Sequence, residues 1–238
     1  MSKILEIKDL IVGYGRKNIL EGINLSFEKP QFVVLIGENG SGKTTLLRAI
    51  LGFFRKKQGT IKIYGKEISE ISPNELAGLI SFIPQISSPL NGFTVFEVVE
   101  MARASIRATK KEHLDIVNRS LERMDLTKIK DKFVTDLSGG EYQKVLFARA
   151  LAQQAKIMLL DEPTAHLDIK NKIHLLSLIN ELKGEKLIIS VMHDLDRLKE
   201  NADRAIFIKN GQLFLDGLAS AVLTKENIDK VFDLEDAY

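Results

Sequence analysis

Gly37-Glu38-Asn39-Gly40-Ser41-Gly42-Lys43-Thr44 follows directly on the apolar run Phe32-Val33-Val34-Leu35-Ile36. It fits the phosphate-loop pattern G-x-x-x-x-G-K-[ST] at every fixed position. Both flanks agree with that reading. The apolar run is of strand length, and Thr45-Leu46-Leu47-Arg48-Ala49-Ile50-Leu51 reads as a helix. Glycines let successive N–H groups turn into one concavity, where they can solvate phosphate oxygens with no side chain in the way. The Lys43 ammonium adds a point charge near the β- and γ-phosphates, and the Thr44 hydroxyl is placed to ligate Mg²⁺. The positive end of the following helix dipole faces the same phosphates. A nucleoside triphosphate with Mg²⁺ is therefore the expected ligand, held by Gly37, Glu38, Asn39, Gly40, Ser41, Gly42, Lys43, Thr44 and Thr45.

Outward from the loop, the chain sets further bounds. Its 238 residues, 45% of them hydrophobic, suffice for one large domain or one domain with a lobe. Lys plus Arg number 34 against 32 Asp plus Glu, and a net +2 gives no general pull toward nucleic acid or lipid. The start Met1-Ser2-Lys3-Ile4-Leu5-Glu6-Ile7-Lys8 reaches charged residues too soon for a signal peptide, and no apolar run approaches a membrane span. A cytoplasmic chain is expected. Without cysteine there are no disulfides, no thiolate metal sites and no thiol catalysis.

Hydrophobic patterning divides the chain into an α/β core and an insertion. Apolar and polar residues alternate through Ile4, Glu6, Lys8 and Ile11, and again through Ile23-Asn24-Leu25-Ser26-Phe27, as in half-buried antiparallel strands. A second pair of strands is expected around Gly59-Thr60-Ile61-Lys62-Ile63-Tyr64. Phe32 to Ile36, Lys156 to Leu160 and Leu187 to Val191 are continuous apolar runs, which suit parallel strands covered on both faces. Between about Thr94 and Ala152 the period becomes helical, with Val95, Val98, Val99 and Ala102 on one face and Leu114, Val117, Leu121 and Met124 on another. Near the end, Ile206-Phe207-Ile208 and Leu213-Phe214-Leu215 flank Asn210-Gly211, a strong hairpin signal.

A phosphate loop alone leaves kinases, motors, GTPases and transport ATPases open. Three further segments narrow the choice: Leu137-Ser138-Gly139-Gly140-Glu141, then Leu160-Asp161-Glu162-Pro163, then Val191-Met192-His193-Asp194, the last two each ending an apolar strand. In this order, and over nearly the whole chain, they resemble the ATP-binding-cassette (ABC) ATPases. The resemblance implies a single ABC domain over 1–238. Its α/β core is a P-loop NTPase (RecA-like) fold over 1–85 and 153–238, with an N-terminal antiparallel β-subdomain. A helical subdomain at 86–152 is inserted and carries the signature.

What the resemblance implies for chemistry can be set beside the residues. Asp161, after four apolar residues, matches the carboxylate that holds Mg²⁺ at a strand end beside the phosphate loop. Glu162 matches the general base that orients and deprotonates water. His193 resembles the switch histidine that contacts the γ-phosphate. Gln85, in Phe82-Ile83-Pro84-Gln85, resembles the glutamine that reaches Mg²⁺ or the water. Tyr14 matches an aromatic that stacks on adenine. Ser138 to Glu141 also spells a capping box, with Ser138 capping a helix through Val145, Ala148, Leu151 and Ala152. In ABC ATPases this signature binds the γ-phosphate held by the other subunit, which implies a head-to-tail homodimer sandwiching two ATP molecules. Asp168, in Ala165-His166-Leu167-Asp168, matches the acidic residue along that interface.

Several local features resemble importer ATPases for metal chelates such as iron-siderophore, haem and cobalamin. These are Thr94-Val95-Phe96-Glu97-Val98-Val99, His166-Leu167-Asp168 and Val222-Leu223-Thr224-Lys225-Glu226-Asn227, with Thr224 as a helix cap. Under that resemblance the partners are a separate membrane permease and, indirectly, a substrate-binding protein, with no nucleic acid. The chain would then lie on the inner face of the cell membrane. The permease would dock near Gln85 to Val99, where Ile86, Leu90, Phe93 and Phe96 offer either a docking surface or lobe core. Tyr142 and Lys144 depart from the Arg or Gln common in relatives. The alternative reading is a soluble ABC ATPase of an assembly complex, as in iron–sulfur cluster biogenesis.

Overall fold

Alternation at the N-terminus produces two long strands, β1 (Leu5–Tyr14) and β2 (Lys17–Phe27), paired antiparallel with Leu5 opposite Phe27 and Ile7 opposite Leu25. The strict alternation breaks at Asp9, whose φ of 47° marks a bulge where the register shifts. The Asp9 N–H donates to Asn24 Oδ1 at 3.0 Å while Asn24 Nδ2 donates to Asp9 Oδ1 at 3.1 Å, which fixes the bulge. Leu5 and Ile7 before it and Leu10 and Val12 after it all point into the core, so the bulge reconciles two phases of one strand. These data come from a computed structural model, which describes residues 3–85, 88–165, 167–192 and 195–234, and only the backbone of 195–197.

The first of two compact units takes in the chain up to Ser72 and again from Ile179. After β3 (Gln31–Ile36), whose residues from Phe32 onward are buried, comes α1 (Lys43–Ile50). β4 (Gln58–Ile63) then pairs with β1, and β5 (Lys66–Glu67) with β4, giving an antiparallel sheet in the order β2-β1-β4-β5. The expected second pair of strands is thus one full strand and a two-residue stub.

The second unit, Pro73–Leu178, is built around helices. It holds α2 (Pro73–Leu79), β6 (Ile80–Ile83), α3 (Val95–Glu100), α4 (Lys110–Arg123), α5 (Gly139–Ala152) and β7 (Ile157–Asp161), and α6 (Ile169–Leu182) begins there. β6 and β7 pair in parallel, and Gln153 at the end of α5 donates to the carbonyls of Ala77 and Ile80. Those ties keep α2, β6 and β7 with the helices, so this unit is wider than the helical stretch read from periodicity. Val95, Val98 and Val99 are fully buried as the period requires, whereas the next position inward is Arg103 rather than Ala102. The helix tightens into a 3₁₀ turn at Met101–Arg103. The Arg103 guanidinium then reaches the Ala152 carbonyl and Gln154 Oε1, both at 3.0 Å, a cation against the C-terminal end of α5.

The chain returns to the first unit with β8 (Leu187–Val191), α7 (Leu195–Asn201), β9 (Arg204–Lys209), β10 (Gln212–Leu218), α8 (Ala219–Val222) and α9 (Lys225–Val231). β3 lies between β8 and β9, parallel to both, and β10 pairs antiparallel with β9 through the Asn210-Gly211 turn. Continuous apolar sequence is explained by this placement: β3 and β8 are buried along their length. Thr224 caps α9, its hydroxyl accepting from the Asn227 N–H.

Candidate functional site

The phosphate loop begins where β3 ends, in the first unit. A Cβ on Gly37 would lie 2.1 Å from the Ile208 carbonyl oxygen and 2.8 Å from Ser41 Oγ, so no other residue fits there. Gly42 caps α1 in the left-handed region, φ 107°, with no side-chain cap. A helix start with no side chain across it suits an anion. The hairpin turn between β9 and β10 holds the loop from outside, the Gly211 N–H donating to the Ser41 carbonyl at 3.1 Å. That hairpin was legible in the sequence, but its support of the loop was not.

Two side chains give the loop its chemistry. Lys43 is only 6% exposed, and its ammonium donates to the carbonyls of Gly37 and Glu38 at 2.8 and 2.7 Å, across the loop's first turn. Ser41 Oγ is buried without a hydrogen-bond partner. An orphaned buried hydroxyl costs about 1–3 kcal/mol, which a phosphate oxygen at this loop would recover. Glu38, Asn39 and Gly40 are exposed at the loop's tip, and Thr44 and Thr45 follow Lys43 in the first turn of α1. Tyr14, 62% exposed at the end of β1, packs edge-on against Phe54 with ring centroids 5.3 Å apart. The two rings stand at 69° to one another, and most of the Tyr14 side chain remains exposed.

In the second unit the acidic pair sits at the end of β7. Asp161 is 1% exposed, the last residue of a strand buried throughout. Glu162 follows with φ 49°, in the left-handed region that a residue with a Cβ enters at a cost of about 1–2 kcal/mol. The turn closes with the Ala165 N–H on the Glu162 carbonyl at 3.2 Å, and the buried Gln143 side chain donates to the Pro163 carbonyl at 3.1 Å. The reversal in backbone hand at Glu162 ends the regular alternation of the strand just after Asp161.

The capping box read from Ser138-Gly139-Gly140-Glu141 is formed in full. Ser138 Oγ accepts from the Glu141 N–H at 3.3 Å, and Glu141 Oε2 accepts from the Ser138 N–H at 2.9 Å. The Ser138 N–H and then its hydroxyl hold the Glu141 carboxyl below its ordinary value of 4.5. A Cβ on Gly139 would meet nothing within 4 Å, so packing among the described residues does not require glycine there. Matching boxes at Thr94–Glu97 and Thr109–Glu112 start α3 and α4. Sequence reading passed over both, although each shows the same S/T-x-x-E spacing.

Gln85 is exposed beyond β6, and Asp168 accepts from the Asn171 N–H at 2.8 Å at the start of α6. His193, His166 and Ile86 lie outside the described residues. Leu90 and Phe93 are 39% and 38% exposed, and Phe93 lines a cavity of about 670 Å³ with Glu97, Met101, Arg103 and His113. Among the described residues no group of three or more His, Asp or Glu is placed to hold a metal ion. No described helix is long and apolar enough to cross a membrane.

Residues 20–165 match the family model described as ABC transporter. The chain belongs to the ABC transporter family. It is an ATP-binding cassette of that family, and its α/β fold is the one the cassette motifs imply. This ABC protein is 35% identical over 237 residues to the "Probable iron chelatin transport ATP-binding protein" of Helicobacter pylori, across 97% of this chain and 93% of that protein. It is 33% identical to the "Probable siderophore transport system ATP-binding protein" of Bacillus subtilis, across 97% of this chain and 86% of that one. Among solved structures, the ADP conformation of an ATP-binding cassette of an ABC transporter superposes with a TM-score of 0.82 at 25% identity, covering 97% of this chain and 98% of that one. The dimeric structure of a bacterial ABC transporter cassette gives 0.82 at 26% identity, covering 90% of this chain and 98% of its own.

Proposed function

We propose that this chain is the ATP-hydrolysing subunit of an importer for a metal chelate, of the class of iron-siderophore, haem or cobalamin, and that it drives separate permease subunits from the cytoplasmic face of the membrane. The observation that carries the reading is the full-length similarity to proteins named for iron chelatin and siderophore transport. Cargo would be chosen by the permease and a substrate-binding protein, with ATP turnover as the switch.

In this reading Gly37 to Thr45 cradle the phosphates, Lys43 faces the β- and γ-phosphates and Tyr14 stacks on adenine. Thr44, Gln85 and Asp161 would hold Mg²⁺. A hydroxyl, an amide oxygen and a carboxylate are the hard oxygen donors that ion takes, and the buried carboxylate of Asp161 suits a cation. Bound there, Mg²⁺ would offset negative charge on the phosphates. Glu162 accepts the proton of the attacking water, and His193 contacts the γ-phosphate. A second copy, head to tail, presents Ser138, Gly139, Gly140 and Glu141 to the γ-phosphate, with Asp168 along the interface. The two glycines at the start of α5 support that role, because a backbone without side chains lets an anion come close to a helix N-terminus.

The test joins two measurements. Glu162→Gln is expected to lower ATP hydrolysis by about a hundredfold or more while ATP-bound dimers accumulate; unchanged turnover removes Glu162 as the base. Purification of the tagged chain from detergent-solubilised membranes is expected to bring a polytopic permease with it. Recovery with soluble assembly proteins alone would replace the importer reading with that of an assembly ATPase.

A further inference from the structure

The two residues that follow the capping box of α5 reach out of the helix in different directions. The Tyr142 hydroxyl donates to the carbonyl of Ser88 at 3.1 Å, and Gln143 Nε2 donates to the carbonyl of Pro163 at 3.1 Å. Both side chains belong to buried residues. Consecutive positions on a helix point about 100° apart, so neighbours in sequence can hold two separate segments. Here the segments are the one at Ser88, three residues after Gln85 in sequence, and the turn that carries Glu162, one residue before Pro163. Neither bond is needed to start or continue α5, whose cap is complete without them.

The second tether falls on a backbone that needs holding. Glu162 sits in the left-handed region at φ 49°, and proline at 163 has no N–H with which to fix the turn. Its carbonyl is the polar handle that remains, and a buried amide from α5 takes it.

We propose that Tyr142 and Gln143 are positioning residues that tie the signature helix to the Gln85 loop and to the Glu162 turn. Engagement of Ser138 to Glu141 by ATP on a second copy is thereby conveyed to the groups that handle water in the same chain. The inference rests on the roles given above to Glu162 and Gln85. It assigns a task to two side chains given no part above in holding nucleotide or metal, and it makes each half-site report to the other through one helix.

The experiment measures steady-state ATPase activity of Tyr142→Phe, which removes one oxygen, and Gln143→Met, which keeps length and removes the donor. Each is expected to lower kcat about tenfold with KM for ATP within about twofold, since the phosphate loop is untouched. ATP-driven dimerisation in a Glu162→Gln background should persist in both. Gln143→Glu supplies the readout that a merely structural role would not move. Its carboxylate cannot donate when ionised but can when protonated, so its kcat relative to that of Gln143→Met should rise as pH falls. Wild-type kcat in Tyr142→Phe and Gln143→Met, a KM that rises as kcat falls, or a flat ratio for Gln143→Glu would overturn the proposal. Glu162→Gln run in parallel separates the two levels. If it hydrolyses ATP normally, the base assignment falls and the tether with it; if it is inactive while the tether variants turn over at full rate, the tether alone falls.

Discussion

The phosphate loop and the Asp161–Pro163 turn both leave the carboxyl end of a buried strand, and both depart from ordinary backbone geometry, by opposite means. In the function proposed above the loop works with main-chain amides, and glycine stands at its tight points, Gly37 against the Ile208 carbonyl and Gly42 at the helix cap. On the same reading the turn works with a carboxylate, so glycine is not available, and Glu162 takes a left-handed conformation with its side chain in place. Where a site needs backbone, the sequence can remove strain; where it needs a side chain, strain stays and neighbours must hold it. Gln143 on the Pro163 carbonyl is that hold.

Four substitutions and one change of condition would break or sharpen this contrast. The largest effect is expected at Gly37→Ala: the added methyl meets a backbone oxygen that cannot move alone, and stability should fall by about 3 kcal/mol with loss of ATP binding. Urea unfolding and nucleotide titration measure both. Glu162→Gly should do the reverse to the other region, raising stability by about 1 kcal/mol as the left-handed residue loses its Cβ, while hydrolysis is lost. A less stable Glu162→Gly protein would show that the side chain's own contacts outweigh the strain of the turn. Ser41→Ala removes an unpaired buried hydroxyl, so stability should rise by about 0.5 kcal/mol and ATP affinity should weaken; tighter ATP binding would exclude the hydroxyl from the phosphate cradle.

The smallest effect concerns pH. Glu97, Glu112 and Glu141 are each held below 4.5 by the backbone N–H and then the hydroxyl of their capping partner. A carboxyl depressed in the folded state stabilises above its unfolded value and loses that contribution as pH falls through the folded one. The three helix starts should therefore loosen below about pH 4.5, seen as faster amide exchange in their first turns. Glu141→Gln keeps an accepting oxygen without a titrating group and should make the start of α5 insensitive to acid over that range.

Much of the loop was legible in sequence because its function is local: glycines, a lysine and a threonine at fixed spacing, between a strand and a helix, describe one concavity. The capping box at Ser138 and the Asn210-Gly211 hairpin were legible for the same reason. What sequence could not show joins distant residues. The Tyr142 hydroxyl finds a carbonyl 54 residues away, Arg103 turns inward toward the end of α5, and Gly211 supports the Ser41 carbonyl. Arg103 also shows a limit of periodicity. Apolar spacing placed Ala102 on the inner face, but an unsatisfied helix end is a strong attractor for a guanidinium, and the helix tightened to deliver one. The left-handed Glu162 left no trace in sequence, since no glycine marks it.

The two carbonyls that receive the Lys43 ammonium change how experiments on this lysine are to be interpreted. The side chain is a brace as well as a charge: it laces the first turn of the loop to the head of α1. A neutral replacement therefore removes two things together, a positive charge and a strut that shapes the loop around it. A fall in affinity on such a change cannot be credited to charge alone, and the backbone of the loop has to be followed separately before the lysine's share can be assigned.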